Sequence, residues 1–187
     1  MRPVILLAFF LTQSYLLSAQ YVTGMATRWS DSFVEWNIYY VQGVEEDEEE
    51  QTGELKMKWP LRNDWTEWTY DFADTWGDVR LVWKNDPSRW QIISGAETVT
   101  MRRLWKEDDR EWRITDNTVS LTLRTRYGND RNEWEVRETT YGTFQMRTSY
   151  REDPRDWMVD DFLNEEVSIT MRMALVFLVT YNSVPKF

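Results

Sequence analysis

The sequence contains no cysteine and no histidine among its 187 residues. The absence of cysteine excludes a disulfide framework and a lipid anchor on an N-terminal cysteine. Without either residue type the chain cannot carry a Ser-His-Asp or Cys-His catalytic group, thiol redox chemistry, or a metal site built on histidine or cysteine. Because only carboxylate, lysine, tyrosine or serine chemistry remains, we expect a non-enzymatic protein without a cofactor.

Positive charge is also scarce, since 22 lysines and arginines face 32 aspartates and glutamates and give a formal net charge of −10. A field of that sign repels nucleic acid and anionic lipid surfaces, so we expect no nucleic-acid partner. The sequence has no glycine-rich phosphate-binding loop either. Apolar residues make up 42% of the chain and include 12 tryptophans, which is enough for the core of a single domain.

The N-terminal segment has the layout of a secretory signal peptide. Arg2 is followed by an apolar run from Val4 to Leu11, and the small residues Ser18 and Ala19 precede Gln20. The run is too short to span a bilayer, which takes about 20 residues; a buried strand is the alternative. We predict a signal peptide at residues 1–19, a single domain at residues 20–187, and a secreted, periplasmic or cell-surface location.

One unit of about 22 residues occurs six times in the chain. It begins with an aromatic residue in five copies and with Leu61 in the other, has an aspartate three positions later in most copies, and reaches a tryptophan at the eighth position. Alternating apolar residues on both sides predict a β-hairpin with strands of six to eight residues and both aromatics on the apolar face. The turn lies between the aromatics, where Asp, Asn, Pro and Gly are common. The copies span residues 29–36, 61–68, 83–90, 105–112, 127–134 and 150–157.

Six such hairpins give about twelve antiparallel strands in one meander, and closure into a barrel removes its free edges. A barrel of that size has a lumen wider than side chains alone can fill. The apolar segment 167–181 follows the last hairpin and predicts a central helix that begins near Asn164, although a further strand is the alternative. The predicted fold class is therefore all-β with one C-terminal helix, a barrel closed around that helix.

This pattern resembles the tubby-like superfamily, which includes the LURP-one-related and phospholipid scramblase-like domains. The closest likeness is the stretch from Asp156 to Asp160, the acidic break after it and the apolar run from Met171 to Val179, which look like the last strand and central helix of that group. The resemblance implies a twelve-stranded barrel around a C-terminal helix. Tubby domains bind phosphoinositides through basic residues, but no basic cluster in this sequence matches that site.

Two columns of charged residues recur with the repeat. Aspartates at the turns would gather at one rim of the barrel. Their oxygens could bind a cation such as Ca²⁺ there, or could simply stabilise the turns. These residues are Asp64, Asp86, Asp108, Asp130 and Asp153. Arginines three residues before an aromatic anchor would form a stripe opposite the apolar face, either an anion site or a charge ladder with the acids that precede the second tryptophan. These are Arg80, Arg102, Arg124 and Arg147.

The absence of catalytic residue types, together with the regular repeat, predicts a non-catalytic exported binding or scaffold domain with a protein or envelope partner. One alternative is a barrel that binds a lipid or a glycan, since tryptophans can stack on sugars, although their repeat position at the strand ends favours packing in the core and at the rim. Another is an outer-membrane β-barrel, which would carry aromatic residues at its strand ends. The predicted strands are short for that role, because spanning strands need about 9–11 residues. Membrane association is left open by the sequence.

Overall fold

The computed structural model describes residues 20–42 and 49–186 of the chain. The predicted signal peptide, residues 1–19, lies outside the described residues, and so does Phe187. The described part forms a closed antiparallel barrel of twelve strands with a single helix, so the predicted fold class is confirmed. None of the helical structure in that part is both long and apolar enough to cross a bilayer.

Each predicted unit folds as a hairpin of two strands. In the four clearest copies only two residues separate the strands, at 84–85, 106–107, 128–129 and 151–152. The strands are β1 Gln20–Thr27, β2 Glu35–Gln42, β3 Gln51–Trp59, β4 Asp64–Phe72, β5 Thr75–Trp83, β6 Asp86–Ser94, β7 Glu97–Trp105, β8 Asp108–Thr115, β9 Ser120–Tyr127, β10 Asp130–Thr139, β11 Gly142–Tyr150 and β12 Asp153–Leu163. A short 3-10 turn at Pro60–Arg62 joins β3 to β4.

Strand order in the barrel follows the chain, and β1 pairs with β12 to close it. Among the described residues, closure removes most of the free sheet edge, which otherwise would invite pairing with another chain. The closing seam is held by three residue pairs, which run from Gly24 opposite Met158 to Ala26 opposite Asp156. Away from this seam, strands β5 to β8 are paired on both sides, and this pairing fixes the positions of their outward-facing side chains.

Six tryptophans, one from each unit, line the inside of the barrel near the hairpin turns. Each indole Nε1 donates a hydrogen bond of 2.7–3.2 Å to the carbonyl oxygen of the residue three positions earlier. This bond satisfies the single polar atom of a large apolar side chain and allows its burial. The six residues are Trp36, Trp68, Trp90, Trp112, Trp134 and Trp157.

The helix α1, Ile169–Ser183, lies inside the barrel, and residues 170–182 are all buried. Phe177 packs edge-on against the ring of Trp90, with centroids 4.9 Å apart. The helix begins after Ser168, whose Oγ accepts a hydrogen bond from the Met171 backbone N–H at 3.1 Å. The predicted start at Asn164 is wrong, because that side chain instead holds the preceding turn. The lumen is thus filled by the protein's own chain.

The first aromatic residue of the unit points outward, contrary to the prediction that both aromatics face the core. Trp105, for example, has an exposed fraction of 61%. The pairing of β7 with β8 is irregular between Arg103 and Trp105, and a bulge of this kind redirects the side chains next to it. The Trp105 indole then donates to Glu111 on the outer wall at 2.7 Å.

The strands are eight to eleven residues long, and the prediction of six to eight was too short. Strand pairing continues past the aromatic anchors as far as the two-residue turns, as the pairing of Trp105 with Asp108 shows. Strand length therefore does not argue against the outer-membrane alternative. The polarity of the outward-facing side chains is the property that distinguishes a membrane barrel from a barrel exposed to water.

Candidate functional site

The five rim aspartates lie at one end of the barrel, each at the first residue of an even-numbered strand. In each case Oδ1 accepts a hydrogen bond of 2.9–3.1 Å from the backbone N–H two residues later, which is the geometry that fixes a tight turn. Within the described residues, no group of three or more acidic side chains is arranged to hold a metal ion. Cation binding at this rim stays a prediction.

Hydrogen bonding also lowers the pKa of four of these carboxyls, because it stabilises the charged form. The side chain of Arg110 is the main cause at Asp108 and lowers the pKa of that carboxyl to about 2. The corresponding side chain two residues on is the main cause at the other three positions, Asp64, Asp86 and Asp153, and it lowers the pKa there as well. These four aspartates therefore stay charged at neutral pH and hold their turns in place.

The arginine column lies on the outer wall, but its members differ in their partners. Arg124 binds Glu135 on β10 at 3.1 Å, and Arg147 binds Asp160 on β12. Arg80 and Arg102 form no ion pair with any described residue. The register separates these two as well, because Arg80 lies opposite Glu67, whereas Arg102 lies opposite Arg89.

Three exposed arginines lie side by side on the outer wall of β6, β7 and β8. Arg89 is directly opposite Arg102, and Arg102 is directly opposite Arg113. In the part of the chain that the structure describes, none of the three has an ion-pair partner or donates a side-chain hydrogen bond. Two strand spacings of about 4.8 Å place their Cα atoms within about 10 Å. We call Arg89, Arg102 and Arg113 the arginine patch.

The patch arises from one departure from the repeat. The residue before the second tryptophan of the unit is acidic in five copies, at Glu35, Glu67, Glu111, Glu133 and Asp156. In the copy from Trp83 to Trp90 this residue is Arg89. In three other copies the acid lies opposite an arginine of the column, at Glu67 and Arg80, Glu111 and Arg124, and Glu133 and Arg147. The charge ladder is therefore interrupted at Arg89 alone among these four hairpins.

Arg89 and Arg113 were missed by reasoning from the sequence. The signal for Arg89 was present, because an arginine replaces the recurring acid of the unit. No periodicity indicates Arg113, whose place beside Arg102 depends on the β7–β8 register. Like charges in direct register destabilise a sheet, whereas opposite charges contribute roughly 0.2–1 kcal/mol. Local arrangements that work against stability are expected at functional surfaces.

The replacement of the acid also changes the surroundings of an exposed indole. In two copies the first tryptophan donates to the recurring glutamate, namely Trp29 to Glu35 at 3.0 Å and Trp105 to Glu111 at 2.7 Å. Trp59, two residues before the copy at 61–68, donates to Glu67 at 3.0 Å in the same way. Trp83 has no such carboxylate, and within the described residues its Nε1 has no acceptor. The side chains of this copy therefore offer hydrogen-bond donors without a matching acceptor.

The register shows that Arg89 stands beside Trp83. Trp83 pairs with Asp86 as Trp105 pairs with Asp108, and the irregularity before each pair is the same. Arg89 consequently occupies, next to Trp83, the position that Glu111 occupies next to Trp105. The indole and the arginine patch form one continuous surface.

The negative net charge of the protein does not cancel the patch at close range, since charges are screened over about 8 Å at physiological ionic strength. Glu111 is the carboxylate diagonal to Arg102, and it already accepts the hydrogen bond from Trp105. Arginine guanidinium groups bind carboxylate, sulfate and phosphate oxygens through paired N–H donors. The patch can therefore bind an oxyanion that several donors share.

A cleft of about 530 Å³ lies at the seam between β1 and β12 and is lined partly by Tyr21, Val41 and Phe162. Its buried polar group is the Asp161 carboxylate, which accepts hydrogen bonds from the backbone N–H groups of Val22 and Leu163 and binds Arg172. The polar group of the cleft is thus already occupied, and the cleft is less suited to an ionic ligand than the patch.

No family model, curated protein or solved structure matches this chain. The resemblance to the tubby-like superfamily stays a prediction from the sequence pattern. The assignment of function rests on the geometry of the outer wall.

Proposed function

We propose that the protein is a non-catalytic, exported domain that binds an oxyanion-bearing partner of the cell envelope or exterior through its arginine patch. The observation that carries this proposal is the direct register of Arg89, Arg102 and Arg113, none of which forms an ion pair within the described residues. A domain selected for stability alone would keep the acid that the other units have at this position.

The filled lumen supports binding on the outer wall. Helix residues 170–182 are buried inside the barrel, where Phe177 packs against Trp90. A carrier that encloses a lipid or another small molecule needs an open interior of several hundred Å³. We therefore place the ligand outside the barrel.

The character of the outer wall favours this proposal over the outer-membrane alternative. A membrane barrel presents an apolar band about 25 Å tall to the lipid. Here the outward positions in the middle of β5 to β8 are occupied by charged and polar side chains such as Arg80, Gln91, Thr100 and Arg113. Charged groups on a lipid-facing wall cost several kcal/mol each near the midplane.

The test is titration of the purified protein with pyrophosphate, a small oxyanion, followed by NMR of the arginine Nε–H groups. The patch variant is the double substitution Arg89→Gln and Arg113→Gln. The matched control is Arg124→Gln with Arg147→Gln, which removes two outer-wall arginines that carboxylates already neutralise.

We expect pyrophosphate to shift the patch signals and the patch variant to lose affinity roughly tenfold or more, because a charge-assisted hydrogen bond contributes about 1.5–3 kcal/mol. The control variant should bind within about twofold of the unsubstituted protein, since its arginines already have partners. Absence of any response, or equal losses in the two variants, contradicts the proposed function.

A further inference from the structure

We infer that the ligand of the arginine patch is an acidic glycan, a sugar chain that carries carboxylate, sulfate or phosphate groups. This inference rests on the proposed function and adds the chemical class of the ligand. Its anionic groups bind Arg89, Arg102 and Arg113, and one of its sugar rings packs on Trp83. The juxtaposition of an oxyanion site with an exposed indole carries the inference.

Trp83 supplies a flat apolar surface at the edge of the patch. Its exposed fraction is 63%, and its Nε1 has no acceptor within the described residues. A sugar ring has an apolar face of C–H groups that packs against an aromatic ring, and its hydroxyl and ring oxygens can accept from an indole N–H. A bare inorganic anion would use the arginines and leave the ring of Trp83 without a contact.

The row of residues next to the patch is neutral and polar. Gln91 lies opposite Thr100 on the outer wall, one outward position along β6 and β7 from Arg89 and Arg102. Both side chains are half-buried and can donate and accept hydrogen bonds. Hydroxyl groups spaced along a sugar chain need such partners, whereas a ligand made of phosphates alone does not. The wall thus combines the three contact types that a charged sugar chain requires.

A lipid surface fits these residues less well. Binding at a bilayer interface depends on apolar side chains that insert beneath the headgroups. The patch is bordered on one side by Gln91 and Thr100, which are polar and do not insert in this way.

Nucleic acid is disfavoured for a related reason. Its affinity for a protein grows with the number of phosphates that are neutralised, and well-bound sites involve roughly six to ten contacts. The three arginines of the patch supply too few contacts of this kind. A short chain with widely spaced charges and neutral hydroxyls matches the patch better.

The experiment uses two probes, tetragalacturonate and a heparin-derived tetrasaccharide, with the methyl ester of tetragalacturonate as the uncharged counterpart. Binding is followed by calorimetry and by the indole N–H signals. Trp83→Leu removes the ring but keeps an apolar side chain. The matched control is Trp59→Leu, which alters an equivalent exposed indole that is bound to Glu67 away from the patch.

We expect at least one acidic tetrasaccharide to shift the Trp83 signal, and the methyl ester to leave it unchanged. Trp83→Leu should weaken binding of the tetrasaccharide about tenfold, in line with an aromatic stacking contribution, and should weaken binding of pyrophosphate much less. Trp59→Leu should behave as the unsubstituted protein does.

The inference is overturned if neither tetrasaccharide binds, or if Trp83→Leu has no effect on the one that does. It is equally overturned if phosphatidylglycerol vesicles or single-stranded DNA bind the patch at lower concentration than the sugars. In each of these cases pyrophosphate binding that depends on Arg89 and Arg113 would leave the proposed function standing. If pyrophosphate binding does not depend on Arg89 and Arg113 either, both this inference and the proposed function are contradicted.

Discussion

Asp161 on β12 binds Arg172 on α1 inside the barrel, where both side chains are almost completely shielded from solvent. The second guanidinium nitrogen of Arg172 donates to the carbonyl oxygens of Leu163 and Asn164, each at 2.9 Å. Asp161 also accepts from the backbone N–H of Val22, so that β1, β12 and the helix meet at one group. This network connects the seam of the barrel to its filling.

Removal of one partner should be far more costly than removal of both. Asp161→Leu leaves the Arg172 charge buried without a counter-charge, and we expect the free energy of unfolding to fall by about 3–5 kcal/mol. The double variant Asp161→Leu with Arg172→Met should recover much of that loss, because no isolated charge remains. Urea unfolding measures both. A double variant less stable than Asp161→Leu alone would contradict the role assigned to the pair.

Trp112 and Trp105 belong to the same hairpin but differ in environment. Trp112→Phe removes buried volume and the hydrogen bond from Nε1 to the Asp109 carbonyl oxygen, and should lower the free energy of unfolding by about 1–3 kcal/mol. Trp105→Phe alters an exposed ring and should change it by less than about 0.5 kcal/mol. Thermal unfolding of the two variants tests whether Trp112 faces inward and Trp105 outward. A larger loss of stability in Trp105→Phe than in Trp112→Phe would contradict this assignment.

Gly142, at the start of β11, tests the packing of the last hairpin. Its φ is +99°, and a Cβ atom there would overlap the carbonyl oxygen of Phe162. Gly128 also has a positive φ, +47°, but a Cβ at that position would meet open space. Gly142→Ala should therefore cost about 1–3 kcal/mol more in unfolding free energy than Gly128→Ala. Equal losses would show that only the backbone angle matters.

The lowered pKa of a turn aspartate predicts how the free energy of unfolding depends on pH. The pKa of Asp108 is about 2 in the folded protein, against 3.8 for an unperturbed aspartate, so between these values the folded state binds fewer protons than the unfolded state. Its contribution to stability is complete above about pH 4 and is lost as the pH falls towards 2. Urea unfolding of the unsubstituted protein and of Asp108→Asn is measured from pH 6 to pH 2. The variant should have the lower free energy of unfolding at pH 6, and the difference between the two proteins should shrink towards pH 2. A difference in unfolding free energy that grows towards pH 2 would contradict the role assigned to Asp108.

The sequence was sufficient to predict the barrel because inward residues such as Trp112 and Ile114 recur with period two in every unit, and the repeat sets the strand count. The helix was predictable because residues 167–181 are apolar all round. The outward orientation of the Trp105 side chain was not predictable, because it depends on a bulge that a simple alternation of residues does not contain.

The binding surface was only half predictable. The column that contains Arg102 follows from the repeat, but its separation into paired and unpaired halves depends on which strand supplies the neighbours. Arg113 has no counterpart in the repeat, and its position beside Arg102 is a consequence of register across β7 and β8. A one-residue slip of that register would place it inside the barrel.

The most direct measurement combines stability and binding in the variant Arg89→Glu, which restores the acid that the other units carry. We expect its free energy of unfolding to rise by about 0.5–1 kcal/mol, because the introduced carboxylate would lie opposite Arg102 and complete the charge ladder. Its affinity for pyrophosphate should fall at least roughly tenfold. A variant that is less stable than the original protein, or that binds pyrophosphate equally well, would contradict the claim that Arg89 trades stability for an anion-binding surface.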